Sequence, residues 1–300
     1  MLNTSFNASA RNVHSQYGED GIIEKVLQLL PCDKWCVEFG AWDGIHASNS
    51  HNIIKNHGYK AVLIEANKKK FDVLKNNLSS YGAIFLNRYV NFEGENKLDN
   101  LLRQTPIPFN FDFLSIDIDG CDYYILESLA DYKPKLICIE YNPTIPNDVH
   151  FIQKKDFTVK QGASAQAIVN LAHRKGYELI ASTHCNLFFL DNVFLPAIKR
   201  LEGFPLDQLR DDKDSKIHVF CGFDGTILTD KPVSLFWHNL SVDQGQLQAL
   251  PRYIRQYPGD YDFLQKIAFG IFLIFRNPQE LVGYLKCYLG RSRSNGSHRL

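Results

Sequence analysis

The stretch Trp35-Cys36-Val37-Glu38-Phe39-Gly40-Ala41-Trp42-Asp43-Gly44 decides the fold, because an apolar run ends in an acid and then turns through two glycines. The apolar residues predict a buried β-strand, and the glycines predict a tight loop that leads into a helix. Glycine permits positive φ angles and removes the Cβ atom where a ligand approaches the backbone. In an open parallel sheet, such a loop borders a ligand pocket beyond the strand ends.

The loop departs from the dinucleotide-binding fingerprint G-x-G-x-x-G. Bulky Trp42 replaces the middle glycine, and Asp43 brings a carboxylate to the place of a diphosphate. A diphosphate therefore fits poorly, whereas S-adenosylmethionine carries no phosphate and its sulfonium charge suits an acid-lined loop. The sequence thus predicts a pocket for S-adenosylmethionine. The binding residues expected from this loop are Glu38, Gly40, Ala41, Asp43 and Gly44.

The composition is that of a neutral globular chain. Of its 300 residues, 45% are hydrophobic, and 33 basic residues balance 33 acidic ones. Such a chain buries a large core, and its length allows one enlarged domain or one domain with an appendage. The run Lys68-Lys69-Lys70 is interpreted as the solvated first turn of a helix, so no nucleic-acid partner is predicted.

Cysteine usage and the amino-terminal residues bear on location. The chain has seven cysteines, and Cys36, Cys138 and Cys221 lie inside apolar runs, which is typical of reduced core residues rather than of a disulfide framework. Residues 1–11 contain neither a basic segment nor an apolar one of the kind that opens a secretory signal. We expect a cytoplasmic protein.

Up to Asn192, apolar runs alternate with segments of helical periodicity. The predicted strands begin at residues 35, 59, 83, 111, 136, 177 and 186. The predicted helices cover 22–30, 48–57, 68–78, 96–102, 122–129 and a segment that Ser164 caps and Gly176 ends. This alternation predicts an α/β fold with a Rossmann-like, doubly wound, mostly parallel seven-stranded sheet.

Glu65 ends the second predicted strand, where dinucleotide folds place the acid that binds ribose. It follows Gly40 by 25 residues, close to the spacing of about 20 in those folds. Taken alone, Glu65 would be an ordinary exposed acid. Together with the glycine loop, it predicts a ribose contact, and Ala66 is expected beside it in the cofactor site.

Polar side chains repeatedly end the apolar runs. Because the carboxyl ends of parallel strands share one edge of a sheet, we expect them to converge there. The set is Glu38, Glu65, Asp117, Asp119, Glu140 and Asn142. Taken singly, each of these residues would be interpreted as part of a turn or as a helix cap.

Four of these side chains form the predicted catalytic group: Asp117, Asp119, Glu140 and Asn142. S-adenosylmethionine donates a methyl group, and an alcohol acceptor would have to be deprotonated, which leaves two alternatives open. A carboxylate or a histidine (His150 or His184) acts as the base, or Mg²⁺ bound to these four residues lowers the pKa of the hydroxyl.

The segment before the first helix, from Ser15 to Gly21, carries two acids and two side chains that could cover a ligand. Helix-start electrostatics explain Glu19 and Asp20. Gln16 and Tyr17 are predicted to close over the cofactor, and Asp117 is also expected to contact it.

From residue 193 the alternation breaks down, so we divide the chain into a methyltransferase domain, 1–192, and a mainly helical C-terminal extension, 193–300. Asp224-Gly225 resembles part of the D-x-D-G-T motif of haloacid dehalogenase-like phosphatases. Gly222 replaces their nucleophilic aspartate, so we predict a hairpin turn there.

The end of the chain is apolar and then basic. Residues 263–275 are too short to span a bilayer, and we expect this helix to pack on the domain or at a homodimer interface. The sequence Asn277-Pro278-Gln279-Glu280 predicts a further helix to Leu289, followed by a disordered segment of ten residues that is polar and basic. Peripheral attachment to an anionic membrane is the alternative.

The chain from Ser15 to Asn192 resembles the FkbM-like branch of class I S-adenosylmethionine-dependent methyltransferases. The resemblance rests on residues 37–44, Leu63-Ile64-Glu65-Ala66, Ser115-Ile116-Asp117-Ile118-Asp119-Gly120 and Ile139-Glu140-Tyr141-Asn142-Pro143. It is supported by Gly162-Ala163-Ser164 and Asn186-Leu187-Phe188-Phe189.

This resemblance implies a reversed seventh strand and O-methylation of a sugar or glycan hydroxyl, as in surface polysaccharides or natural products. It also implies that Glu38 and Gly40 contact the methionine portion of the cofactor and Glu65 its ribose. Many relatives carry Glu where this chain has Asp119, a departure that shortens the reach of this acid. Two other functions share the fold: a non-catalytic binding or scaffold protein, and a nicotinamide-dependent oxidoreductase.

Overall fold

The computed structural model describes residues 5–276. The strands of the main sheet are β1 (Trp35–Phe39), β2 (Lys60–Ile64), β3 (Ile84–Leu86), β4 (Phe113–Ile116), β5 (Leu136–Glu140), β6 (Tyr177–Ser182) and β7 (Asn186–Asp191). The helices between them are α1 (Glu19–Leu27), α2 (His51–His57), α3 (Lys68–Leu78), α4 (Leu98–Leu102), α5 (Asp122–Ser128) and α6 (Ala165–Arg174). Every predicted strand is present, with bounds that differ by a few residues.

The seven strands form one sheet in the order β3-β2-β1-β4-β5-β7-β6. The first five strands in chain order are parallel, whereas β7 is antiparallel to both β5 and β6. The reversal follows from the short connection between β6 and β7, because a tight turn can join only antiparallel strands. The reversed seventh strand expected from the sequence is therefore confirmed.

Each central strand contributes alternate residues to two separate cores, because successive side chains point to opposite faces of a sheet. Val37 and Phe39 of β1 pack with α4, α5 and α6, while Cys36 packs on the other face. That second face is covered by apolar residues of α1, α2 and α3. Helices on both faces make the sheet doubly wound, as predicted.

The compact unit that contains this sheet extends to Lys216, further than the boundary at residue 192 proposed above. Phe204 donates a backbone hydrogen bond to Leu179 of β6, and Ser182 donates its hydroxyl to the Leu209 carbonyl. Both apolar side chains, Phe204 and Leu209, belong to the core. Residues past the last strand therefore complete this unit.

The second unit begins at Ile217. It contains the hairpin of β8 (Val219–Cys221) and β9 (Ile227–Thr229), the hairpin of β10 (Val233–Leu235) and β11 (Leu240–Val242), and a helix over Phe263–Arg276. The predicted turn at Asp224-Gly225 is confirmed, since the Asp224 carboxylate accepts hydrogen bonds from both the N–H and the hydroxyl of Thr226. The hairpin of β10 and β11 was not predicted.

The helix expected at 278–289 and the basic end at 291–300 lie outside the described residues. Among residues 5–276, no helix is long and apolar enough to cross a membrane.

Candidate active site

The glycines of the loop after β1 have the positive φ angles that the sequence predicts. The reason that glycine is required there differs from the one inferred from the sequence. Gly40 and Gly44 have φ angles of 72° and 74°, as predicted. A Cβ atom on Gly40 would lie 2.2 Å from the carbonyl oxygen of Asp117, and one on Gly44 would lie 2.5 Å from Leu74. The protein itself fills the space that we had assigned to a ligand, so these glycines are required by packing.

The side chains at the tip of this loop differ in their surroundings. Asp43 accepts hydrogen bonds from the N–H groups of Ile45 and His46, which shapes the turn. Trp42 is 46% exposed, with the Lys70 ammonium 5.2 Å from its ring centre. Ala41 is buried beneath them. Trp42 therefore offers an open aromatic surface, while Asp43 is partly used by the loop.

Glu38 is buried at the end of β1 and fastens the start of α2. Its carboxylate accepts hydrogen bonds of 2.6 Å from the hydroxyls of Ser48 and Ser50, and one of 2.9 Å from the N–H of Asn49. Burial raises the pKa of Glu38, and these hydrogen bonds oppose that rise. Because Ser48–Ser50 serve Glu38, α2 begins at His51 and not at Ser48 as predicted.

Glu65 ties the ends of β1 and β2 together. One carboxylate oxygen accepts the N–H of Trp42 at 3.0 Å and the other accepts the N–H of Asn67 at 2.7 Å. Each carboxylate oxygen can accept two hydrogen bonds, so both retain capacity for a ligand hydroxyl. The neighbouring Ala66 is exposed. This geometry suits the two hydroxyls of a ribose.

Asp117, Asp119 and Glu140 converge beyond β4 and β5, with carboxylate oxygens that all lie within 4.8 Å of one another. Asp117 and Glu140 are half-buried, whereas Asp119 is exposed and has a φ of 56°. Asn142 is engaged separately, because its amide oxygen accepts the N–H and the hydroxyl of Thr144, and its nitrogen donates to Gln161. The three acids thus form the centre of the site.

The proximity of these acids perturbs their protonation. Burial raises the pKa of Asp117, and the charges of Asp122, Asp119 and Glu38 raise it further. Burial and the charge of Asp117 raise the pKa of Glu140 still more, because two carboxylates this close together disfavour each other's ionised form. Glu140 is therefore the acid of the pair that holds a proton more readily.

Asp122 is a buried acid of this site that the sequence analysis assigned only to a helix. Its carboxylate accepts the N–H groups of Ile118 and Gly120 at 2.9 and 2.8 Å, which closes the turn that carries Asp119. Burial raises its pKa. The position of Asp122 at the first residue of α5, two residues after a glycine, was the available signal.

Gln153 is a second residue that the sequence analysis missed. Its buried amide oxygen accepts the N–H groups of Gln161 and Gly162, and its nitrogen donates to the Val159 carbonyl. A Cβ atom on Gly120 would lie 3.0 Å from both Gln153 and Val159. Gln153 therefore holds the 153–162 loop against the acidic turn. No local pattern identifies such a contact.

The segment before α1 brings Tyr17 to the site. Asp20 accepts three backbone N–H groups from residues 13–15, and Glu19 accepts the N–H of Tyr17. The Tyr17 ring is 5.1 Å from that of His184. Burial raises the pKa of Tyr17, with smaller contributions from Cys185, Glu19 and Glu140. Tyr17 thus lies near the acids.

Two other candidates from the sequence, Gln16 and His150, are exposed. Glu19 has a larger role than helix-start electrostatics, because it also accepts hydrogen bonds from Thr183 and Asn186 near β7.

The chain matches no protein-family model and no curated protein. Solved structures similar to it include M. capricolum TrmK in complex with S-adenosyl-homocysteine, at 13% identity over 57% of this chain and 67% of the other, with a TM-score of 0.36. The citrinin polyketide synthase CMeT domain is 11% identical over 57% of this chain and 51% of its own, with a TM-score of 0.37. A TehB-like methyltransferase from Corynebacterium glutamicum is 13% identical over 61% and 91%, with a TM-score of 0.35. The chain spans about half the length of the second of these.

The sheet order and the reversed β7 are those of the Rossmann-like fold of class I S-adenosylmethionine-dependent methyltransferases. The predicted fold class is therefore confirmed.

Gly40→Ala tests whether packing requires the glycine. We expect a loss of about 2–4 kcal/mol in the free energy of unfolding, because a left-handed residue with a Cβ costs about 1–2 kcal/mol and the Asp117 carbonyl must also move. Gly58→Ala is the matched control: its φ is 68° and no atom lies within 4 Å of the added Cβ, so it should lose only about 1 kcal/mol. Equal losses in urea unfolding would contradict the packing argument.

The proton on the Asp117–Glu140 pair predicts a pH dependence of stability. The folded pair retains a proton that the unfolded chain releases above about pH 5, so the stabilisation present in acid is lost as pH rises towards the raised pKa values. Each such proton contributes a slope of at most about 1.4 kcal/mol per pH unit. Glu140→Gln, which removes one titrating carboxyl group and keeps nearly the same shape, should flatten the dependence measured by urea unfolding in chelator between pH 5 and 8. The exposed-acid variant Glu127→Gln should leave the slope unchanged.

Proposed function

We propose that this protein is an S-adenosylmethionine-dependent methyltransferase that methylates a hydroxyl of a sugar or glycan. The observation that carries the proposal is the convergence of five acids on one edge of a class I methyltransferase sheet. They are Glu38, Glu65, Asp117, Asp119 and Glu140. Open α/β sheets bind their ligands in this place. The resemblance to FkbM-like sequences supports the same assignment.

The proposed cofactor contacts follow the polarity of this edge. Glu65 accepts the ribose hydroxyls, while Glu38, Gly40 and Asp117 bound the methionine portion, where acids and backbone carbonyls attract an ammonium group. Acceptors of this kind repel a phosphate. Ala41, Asp43, Gly44 and Ala66 line the same loops, and Gln16 and Tyr17 cover them.

S-adenosylmethionine, when bound, supplies a methyl group on a sulfonium that is already a good leaving group. The chain must then align the acceptor hydroxyl and exclude water. We assign the hydroxyl to Asp117, because its pKa is raised less than that of Glu140 and its carboxylate is the more readily ionised acceptor of the two. Tyr17 closes the site from the side of α1, where it limits the access of water.

The acceptor class follows from the same surface. A carboxylate-rich edge binds groups that donate hydrogen bonds, and a sugar presents several hydroxyls on one face. The exposed ring of Trp42 offers an apolar surface of the size of a sugar ring. An anionic acceptor would be repelled by Asp119 and its neighbours.

Mg²⁺ fits the donor set as a further component. Asp117, Asp119 and Glu140 would hold the ion, since hard cations prefer carboxylate oxygens and an ion would relieve the mutual repulsion that raises these pKa values. The oxygen of Asn142 would have to leave Thr144 to join them. A bound ion would supply a lowered pKa for the acceptor hydroxyl.

The protein's surroundings are part of the proposal. The neutral net charge and the cysteines inside apolar runs favour a reduced, cytoplasmic location, with an acceptor from surface-polysaccharide or natural-product biosynthesis.

A nicotinamide-dependent oxidoreductase and a scaffold protein fit the same site less well. Nicotinamide-dependent oxidoreductases use a sheet of order 3-2-1-4-5-6, whereas here the antiparallel β7 lies between β5 and β6. A scaffold protein would have no need for buried acids that raise one another's pKa values. Neither alternative has an observation in its favour beyond the shared fold.

Calorimetric titration with S-adenosylmethionine and S-adenosylhomocysteine tests the cofactor. We expect both to bind, and Glu65→Gln to weaken binding by at least tenfold, because a charge-assisted hydrogen bond is worth about 1.5–3 kcal/mol. Glu127→Gln, an exposed acid on α5, is the control and should bind like the wild type. Well-folded protein that binds neither ligand would contradict the proposal, and tight binding of a nicotinamide dinucleotide instead would favour the oxidoreductase.

Chelation tests the ion separately. With a panel of methyl glycosides as acceptors, we expect chelator to slow the release of S-adenosylhomocysteine by at least about a hundredfold. Added Mg²⁺ should restore the rate, and the affinity for S-adenosylmethionine should not change. Turnover that persists in chelator would exclude the ion and leave deprotonation to a carboxylate or a histidine.

A further inference from the structure

The second unit exposes an apolar stripe along its helix Phe263–Arg276, named α8 here after a short α7 at Leu206–Leu209. Six of its large side chains are 44–86% exposed: Phe263, Leu264, Ile267, Ile271, Ile274 and Phe275. At 3.6 residues per turn, these positions fall within an arc of about 120° on one side of the helix. The stripe contains no charged residue.

The opposite side of α8 packs on its own unit. Leu273 is buried, and the ring of Phe269 contacts that of Tyr261. The exposed stripe is therefore not the side that the helix uses for folding. Large contiguous apolar patches are uncommon on monomeric proteins and mark surfaces that meet another apolar phase.

The two hairpins of this unit also expose large apolar side chains. Phe223, at the tip of the hairpin of β8 and β9, is 93% exposed, and Trp237, between β10 and β11, is 58% exposed. More than half of the exposed large apolar side chains in residues 5–276 belong to this unit, which supplies less than a quarter of those residues. Aromatic residues at loop tips suit a boundary between water and lipid.

Charge distinguishes a lipid surface from other apolar partners. The only charged residues of α8 are Lys266 and Arg276, and both are exposed. From residue 263 to the end of the chain there are six basic residues and a single acid, Glu280. A second copy of this chain would bring the same positive charges together, whereas anionic lipid would neutralise them.

We infer that α8 is a peripheral membrane anchor, which lies in the interface of an anionic bilayer with its stripe of six apolar side chains inserted. Such a helix buries its apolar side among the acyl chains, while basic residues contact the headgroups. Neither contribution alone gives strong attachment, because the stripe is short and each basic residue adds only modestly. The anchor is independent of the methyltransferase assignment and would deliver either enzyme or scaffold to a membrane-bound partner.

Co-sedimentation of the full-length protein with vesicles tests this inference. We expect binding to phosphatidylcholine vesicles that contain phosphatidylglycerol, weak binding to phosphatidylcholine alone, and loss of the difference at high salt. The double variant Ile267→Ser and Ile271→Ser should weaken binding by at least about tenfold, because it removes the centre of the stripe. The double variant Lys266→Gln and Arg276→Gln should reduce only the difference in binding between vesicles with and without phosphatidylglycerol.

The matched control is Val73→Ser with Val193→Ser, which removes two exposed aliphatic side chains from the first unit and should leave vesicle binding unchanged. Circular dichroism and light scattering establish that each variant is folded and report its oligomeric state. Wild-type protein that binds neither vesicle overturns the inference. If the stripe variant then converts a dimer into a monomer, a second copy covers the stripe.

Discussion

The site depends on the contact between the Gly40 backbone and the carbonyl of Asp117. This contact brings the ends of β1 and β4 closer than any residue with a Cβ would allow. The absence of a Cβ atom at Gly40 has two consequences. The loop after β1 is held beside the acidic turn after β4, and Glu38 comes near enough to Asp117 to affect its pKa.

The acids at the carboxyl edge are arranged against their own electrostatic preference. Four of them, Glu38, Asp117, Asp122 and Glu140, have pKa values raised mainly by burial. Such a cluster costs folding free energy at neutral pH, since one or more of the groups must retain a proton. A fold tolerates such a cost where ligand binding compensates for it, which is why electrostatic strain and the proposed ligand contacts occur at the same edge.

Hydrogen bonds from the loops decide how much accepting capacity each of two buried acids keeps for a ligand. Glu38 is surrounded by three donors from Ser48–Ser50, whereas Glu65 has two donors and free capacity on both oxygens. The two acids look alike in the sequence, where each ends a strand. The number of hydrogen-bond donors around each acid differs because the donors belong to other segments, which are remote along the chain or fold into loops of irregular geometry.

The main features of the fold were predictable because apolar periodicity and turn residues report local structure directly. All seven strands of the sheet and the cap at Ser164 were inferred in this way, and the structure has them. The second hairpin of the C-terminal unit was missed, because its strands have only three residues each and little periodicity to detect.

The order of strands and helices, the positive φ at Gly40 and Gly44, and the acids at the ends of strands can all be inferred from the amino-acid sequence. The grouping of Asp117, Asp119 and Glu140, the bond between Asn142 and Thr144, and the role of Gln153 in the adjacent loop emerge only from the folded chain. These two sets of features differ in the range of the interactions that produce them. Backbone conformation and periodic burial depend on neighbouring residues, whereas the pairing of side chains depends on distances between strands that are far apart in the chain.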